Sequence, residues 1–112
     1  MNVVLLTSDL MLTSQISSAA ESRNFSVTIL ATADALPEDA PRAVMADLSL
    51  PGLDLMKVTS WRDALDPPPI LIAFGPHVHE GKLRAAEEAG FDQVMPRGKF
   101  LGSLPAVLDS LR

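Results

Sequence analysis

Cysteine and tyrosine are absent from this chain of 112 residues, and aromatic residues make up only 4% of it. Without cysteine there is no disulfide, zinc-thiolate site, thiol nucleophile or thiol redox switch. One tryptophan and four phenylalanines leave little aromatic surface on which nucleic-acid bases could stack. Nine basic residues against 14 acidic ones give a net charge of -5, which opposes binding to phosphate backbones and anionic membranes. We therefore expect no direct binding of nucleic acid or membranes.

Long apolar runs are also missing. No segment reaches the roughly 18 apolar residues of a transmembrane helix, and the apolar stretch 2–6 is too short for the core of a signal peptide. A chain without cysteine fits the cytosol, where thiols stay reduced. Hydrophobic residues nevertheless form 47% of the sequence, and the five methionines are expected to help fill the core. The sequence predicts one cytoplasmic domain over residues 1–112 with an aliphatic core.

Five short apolar runs have the length of β-strands: 3–6, 27–30, 43–46, 70–73 and 93–95. Helical spacing fills most of the intervals, which favours a parallel sheet with helices on both faces. Helices are predicted from Ser8 or Asp9, over 54–64, after Pro76 as far as Gly90, and from Ser103 as an N-cap. The second crossover is the exception, because the prolines at 37 and 41 interrupt it. We expect a short or irregular segment there.

Ligands of open parallel sheets bind at the carboxyl ends of the strands, near the point where the strand order reverses. In this sequence those ends carry Thr7-Ser8-Asp9, Asp47, Phe74-Gly75 and Pro96-Arg97. These residues are the candidate functional site.

The arrangement resembles the receiver domain of two-component response regulators. Residues 47–54 (DLSLPGLD) match the family's acceptor aspartate and the turn that follows it, and residues 89–92 (AGFD) match the segment that leads into its last strand. The resemblance implies a flavodoxin-like three-layer α/β sandwich with a five-stranded parallel sheet. It also implies a role in phosphorelay signalling, and it covers the whole chain.

The same resemblance gives each site position an expected role. Asp47 stands at the phosphoacceptor position, and Ser49 stands where a backbone carbonyl contributes to Mg²⁺ binding. Thr7 and Ser8 occupy the places of the two acidic residues that hold Mg²⁺ in the family, so that only Asp9 could supply a carboxylate there. Asp9 is also a candidate N-cap of the first helix. The pocket therefore looks degenerate.

The remaining signalling positions differ as well. Residues 70–76 contain no hydroxyl, and Phe74 or Gly75 falls where the family places a serine or threonine. Arg97 replaces the family's lysine, although a planar guanidinium does not act as a point-charge ammonium. Val94 replaces the aromatic switch residue. These changes imply that the usual coupling between hydroxyl and ring is missing.

We predict a pseudo-receiver, a signalling module without enzyme activity, cofactor or ordinary Mg²⁺-dependent phosphorylation. Two alternatives stay open. The first is a functional receiver phosphorylated on Asp47 by a histidine kinase, which would require Mg²⁺. The second is a small-ligand or metal sensor that uses Asp9, Asp47 and the histidines His77 and His79, although an exposed loop suits these histidines better.

The resemblance also implies where a protein partner binds. Receivers commonly use the face made by the fourth helix, the fifth strand and the fifth helix, where this chain carries Lys82, Arg84, Glu88 and Lys99, with Arg97 beside them. The partner would be a kinase, an output domain or another signalling protein. A homodimer stays open as a further assembly.

Overall fold

The computed structural model describes residues 1–112 and contains one parallel sheet. Its five strands are β1, Asn2–Leu6; β2, Ser26–Leu30; β3, Ala43–Asp47; β4, Ile70–Gly75; and β5, Gln93–Pro96. They lie side by side in the order β2-β1-β3-β4-β5. Each apolar run is thus a strand that extends one or two residues beyond the run, which confirms the predicted sheet.

Five helices accompany the sheet: α1, Leu10–Glu21; α2, Leu55–Asp63; α3, Glu80–Ala89; α4, Arg97–Gly102; and α5, Leu104–Ser110. Asp9 caps α1, because its carboxylate accepts a hydrogen bond from the amide of Leu12 at 3.1 Å. Gly90 ends α3 with φ at 101°, the left-handed conformation that favours glycine. Both features were predicted. No helix has the length and hydropathy needed to span a membrane.

The short helix α4 was not predicted, and it changes how α5 begins. The Ser103 hydroxyl donates a hydrogen bond to the carbonyl of Lys99 at 2.6 Å, within the last turn of α4. It makes no capping bond to α5. The expected side-chain cap is therefore wrong, because the preceding turn is already helical and offers Ser103 a closer acceptor.

The second crossover is reduced to a turn of 3-10 helix at Ala33–Ala35, as the prolines predicted. The indole nitrogen of Trp61 in α2 donates a hydrogen bond to the Pro37 carbonyl at 2.8 Å and so fixes this crossover against the neighbouring helix. Ser26 and Thr28, on the sheet face that a full crossover helix would cover, are exposed and polar. The sequence is therefore adapted to the missing helix.

The core has two halves, one on each face of the sheet. The larger half packs α1, α4 and α5 against the sheet and includes Phe74 and Phe100. The smaller half packs the 3-10 turn, α2 and α3 against the other face. Met45 alone among the methionines is fully buried, whereas Met11 and Met56 are exposed. The expectation that methionines fill the core is therefore wrong for most of them.

The order of the strands reverses between β1 and β3, because the chain leaves β1 for one edge of the sheet and returns to β3 on its other side. Leu6 pairs with Ala46 in the register of these two strands. The next residues, Thr7 and Asp47, therefore lie beside each other at the carboxyl edge of the sheet. This is where parallel sheets bind ligands.

Candidate functional site

A buried hydrogen bond joins Thr7 to Asp47 at the centre of the candidate site. The Thr7 hydroxyl donates to Oδ2 of Asp47 at 2.7 Å, and the two residues are 2% and 3% exposed. A bond from a hydroxyl to a carboxylate belongs to the stronger, charge-assisted class. A hydroxyl donor thus lies where the resemblance implied a second carboxylate.

The second oxygen of Asp47 is also occupied. Oδ1 accepts a hydrogen bond from the amide of Ser49 at 2.9 Å, while the Asp47 carbonyl accepts one from the amide of Leu50 at the same distance. The side chain therefore stabilises the turn that follows β3, as aspartates do in such turns. Both carboxylate oxygens already have partners within the protein.

Asp9 forms the next part of the site. Its Oδ1 caps α1, and its Oδ2 accepts a hydrogen bond from the guanidinium of Arg97 at 2.7 Å. The bond from Arg97, followed by the one from the Leu12 amide, lowers the pKa of Asp9 below its ordinary value. The amide of Asp9 in turn donates to the Thr7 hydroxyl at 3.1 Å. One chain of hydrogen bonds thus connects Arg97, Asp9, Thr7 and Asp47.

Phe74 is one of the two residues predicted to stand where the resemblance implied a hydroxyl on β4. It pairs with Asp47 in the strand register, and its carbonyl accepts a hydrogen bond from the amide of Leu48 at 2.9 Å. Its ring is fully buried and stacks on Phe100 of α4, with ring centroids 4.3 Å apart and planes 4° from parallel. The side chain therefore belongs to the core and offers no hydrogen bond to a ligand of Asp47.

Gly75, the other candidate for the hydroxyl position, has little space for a side chain. A Cβ atom built on it would lie 3.2 Å from Cβ of Leu48, so a larger residue would push against the loop after Asp47. Val94 on β5 is half-buried and packs against the smaller core half. Ser8 is exposed.

The donor set does not fit Mg²⁺, the ion that the resemblance associates with this pocket. Mg²⁺ needs carboxylate oxygens that can join an octahedral shell. Both carboxylates present already accept hydrogen bonds within the protein. Asp47 accepts them from Thr7 and Ser49. Asp9 accepts them from Arg97 and from the amide of Leu12 in α1. No three His, Asp or Glu side chains come together in an arrangement that could hold a metal ion.

The other predicted site residues lie away from this network. His77 and His79 are exposed in the loop before α3. Lys82, Arg84 and Glu88 are exposed on α3, which follows the fourth strand and so takes the place of the receiver's fourth helix. Lys99 is exposed on α4. Arg97 does not belong with them, because its ion pair with Asp9 places it in the pocket.

Solved structures of receiver domains match this chain over nearly its whole length. The receiver domain of the TMAO respiratory response regulator TorR superposes with a TM-score of 0.83 at 16% identity, covering 98% of this chain and 94% of TorR's. The BeF3-activated receiver domain of DrrB gives 0.80 at 16% identity, with 98% and 95% covered. The chain has the receiver fold.

A third match carries a metal. The receiver domain of the sensor histidine kinase PA1611 from Pseudomonas aeruginosa, solved with magnesium coordinated in its active-site cleft, gives a TM-score of 0.75 at 18% identity, with 98% and 95% covered. No protein-family model and no curated protein matches the sequence. At these identities the likeness establishes the fold of this chain, and the chemistry has to be argued from its own side chains.

Sequence reasoning located the pocket but missed its internal bonds. The pairing of Thr7 with Asp47 follows from their positions directly after two strands that become neighbours, so the order of a doubly wound sheet was the available signal. The pairing of Asp9 with Arg97 had no comparable signal. The two residues lie 88 positions apart, and Arg97 opens a helix that the sequence pattern did not reveal.

Proposed function

We propose that this chain is a pseudo-receiver: a cytoplasmic signalling domain that acts by binding another protein, without Mg²⁺-dependent phosphorylation of Asp47 and without enzyme activity. The observation that carries the proposal is the buried 2.7 Å hydrogen bond from the Thr7 hydroxyl to the Asp47 carboxylate. It gives this carboxylate oxygen a partner within the protein, with which a phosphoryl donor or a metal ion would have to compete.

Electrostatics support the same conclusion. Phosphoryl transfer to a carboxylate brings negative groups together, and metal ions and cationic side chains normally offset that charge. Here the carboxylate pair that would hold the metal is replaced by Thr7 and Ser8, and the one nearby cation, Arg97, is neutralised by Asp9. Phosphorylation of Asp47 would have to break the Thr7 bond and proceed without this compensation.

The partner surface we propose follows α3, β5 and the C-terminal helices. Lys82 and Arg84 on α3 and Lys99 on α4 are exposed and form no ion pair within the protein, while Glu88 adds one exposed negative charge. Unpaired charges at a rim set the rate and specificity of association. A kinase, an output domain or another signalling protein fits this surface, as does a second copy of the chain.

The phosphorylation claim is tested by incubating the protein with Mg²⁺ and acetyl phosphate and measuring its intact mass. We expect no added phosphoryl group on the wild-type protein or on Asp47→Asn. The receiver domain of DrrB, which has been solved in a BeF3-activated form, is treated in parallel as a check on the reaction conditions. A phosphoryl group on the wild-type protein that is absent from Asp47→Asn would overturn the proposal and establish the functional receiver instead.

The double variant Thr7→Asp, Ser8→Asp tests whether these two residues are what prevents Mg²⁺ binding. It rebuilds the acidic pair of the family, so it should show Mg²⁺-dependent changes in the amide resonances around Asp47 that the wild-type protein lacks. Equal changes in both proteins would mean that Thr7 and Ser8 are not what prevents metal binding. They would also favour the metal-sensor alternative.

A further inference from the structure

A groove beside the candidate site is bounded by the loop after β3 on one side and by α3 on the other. It encloses about 480 Å³, which lies within the range of about 300–1,000 Å³ typical of ligand sites. Its lining includes Leu48, Ser49, Leu50, Gly52, Lys82 and Ala85. None of these side chains takes part in the hydrogen-bond chain of the pocket.

The groove exists because small and well-packed residues border it. Leu48 and Leu50 are each only 6% exposed, so they form the buried apolar base of the groove. Gly52 turns the loop away with φ at 72°, and on the facing helix Ala85 is exposed but carries only a methyl group. A longer side chain at position 85 would fill the space.

One charge lies at the rim, and it is positive. Lys82 is the only charged residue in the lining, is exposed, and its ammonium group forms no ion pair within the protein. Two of the three acidic residues of the same helix, Glu80 and Glu87, line a separate surface together with Arg84. A protein of net charge -5 thus presents an unpaired cation next to an apolar groove, a combination that complements a carboxylate attached to aliphatic groups.

We propose that this groove binds a short segment of a partner protein in which two neighbouring aliphatic side chains are followed by an aspartate or glutamate. The aliphatic groups pack on Leu48 and Leu50, and the carboxylate pairs with Lys82. The exposed Ser49 at the edge can hydrogen-bond to the backbone of a peptide, which an acyl chain lacks. This inference rests on the proposed protein-binding function, since it names the chemistry of the partner.

Titration of the ¹⁵N-labelled full chain with the peptide acetyl-Leu-Leu-Glu-amide tests the assignment. We expect saturable shifts of the amides from Leu48 to Leu55 and around Lys82. Replacing glutamate in the peptide by glutamine, or Lys82→Gln in the protein, should weaken binding by about 2- to 5-fold, the range of an exposed ion pair. Ala85→Leu should abolish the shifts, since leucine is a good helix former that fills the groove without disturbing α3.

The matched control is Arg42→Gln, which removes the same charge from an exposed residue that lies before β3, outside the groove, and should leave peptide affinity unchanged. Equal weakening by Arg42→Gln and Lys82→Gln, or binding that survives Ala85→Leu, would overturn the assignment. Shifts produced by octanoate but not by the peptide would assign a lipid. Shifts of the same amides on concentrating the protein alone would assign a second copy. The acetyl phosphate experiment does not involve this groove, so the two proposals can fail separately.

Discussion

The hydrogen bond between Thr7 and Asp47 predicts a large loss of stability on substituting Thr7→Val. Valine has the shape of threonine but lacks the hydroxyl, so the buried oxygen of Asp47 loses its partner. A hydrogen bond to a charged group contributes about 1.5–3 kcal/mol, and the weaker bond from the Asp9 amide to the same hydroxyl adds about 0.5–1.5 kcal/mol. The free energy of unfolding should therefore fall by about 2–4.5 kcal/mol.

Urea denaturation followed by the fluorescence of Trp61, the only tryptophan, measures this loss directly. For a domain of this length the same change lowers Tm by roughly 8–18 °C. Thr7→Ser keeps the hydroxyl and should retain most of the stability, which separates the hydrogen bond from the packing of the methyl group.

Thr59 provides the matched control. It is also buried, at 5% exposure, but its hydroxyl donates to the carbonyl of Met56 in its own helix at 3.2 Å. Since no charged group loses its partner there, Thr59→Val should cost less than about 1 kcal/mol. If Thr7→Val costs no more than Thr59→Val, the Asp47 carboxylate does not depend on Thr7 and the central observation of the proposed function fails.

Two further predictions concern the neighbours of this bond. Arg97 lowers the pKa of Asp9 in the folded state, so the pair stabilises the protein above the unfolded-state pKa of about 4 and this contribution is lost as the pH falls through the lower folded-state value. Arg97→Gln should therefore flatten the dependence of the unfolding free energy on pH below about pH 4, and an unchanged slope would contradict the role of the pair. Phe74→Ala removes a buried ring stacked on Phe100 and should cost about 3–5 kcal/mol by urea denaturation. A cost below about 1 kcal/mol would mean that the stack does not hold β4 to α4.

The elements that the sequence predicted correctly are those governed by local pattern. Strands follow from short apolar runs, the cap at Asp9 from the residue preceding an apolar stripe, and the turn at Gly90 from a glycine that ends a helix. The shortened second crossover follows from prolines at 37 and 41, which disrupt a helix in any context. These are short-range effects, whereas the flavodoxin-like arrangement of the sheet was predicted from the resemblance to receiver domains.

The features that the sequence did not predict depend on which distant residues meet. Helix α4 is only six residues long, too short for an apolar period to be visible, and it is held by the burial of Phe100 between the sheet and α5. The stack of Phe100 on Phe74 and the pairing of Arg97 with Asp9 both follow from this helix. The sequence predicted which residues form the pocket, whereas the hydrogen bonds between them depend on the folded geometry.

These bonds also explain why the departures from the receiver pattern belong together. A carboxylate at position 7 would lie against Asp47 and replace a donor by a second negative group, and like charges in a buried site are destabilising unless a cation joins them. Arg97 cannot supply that cation while it is paired with Asp9, and Phe74 cannot donate a hydrogen bond from the core. A carboxylate placed at position 7 alone therefore leaves an unpaired charge. Because Thr7 is hydrogen-bonded to both Asp47 and Asp9, and Asp9 is paired with Arg97, such a change would disturb the whole pocket, which is the physical reason to regard it as one structural unit.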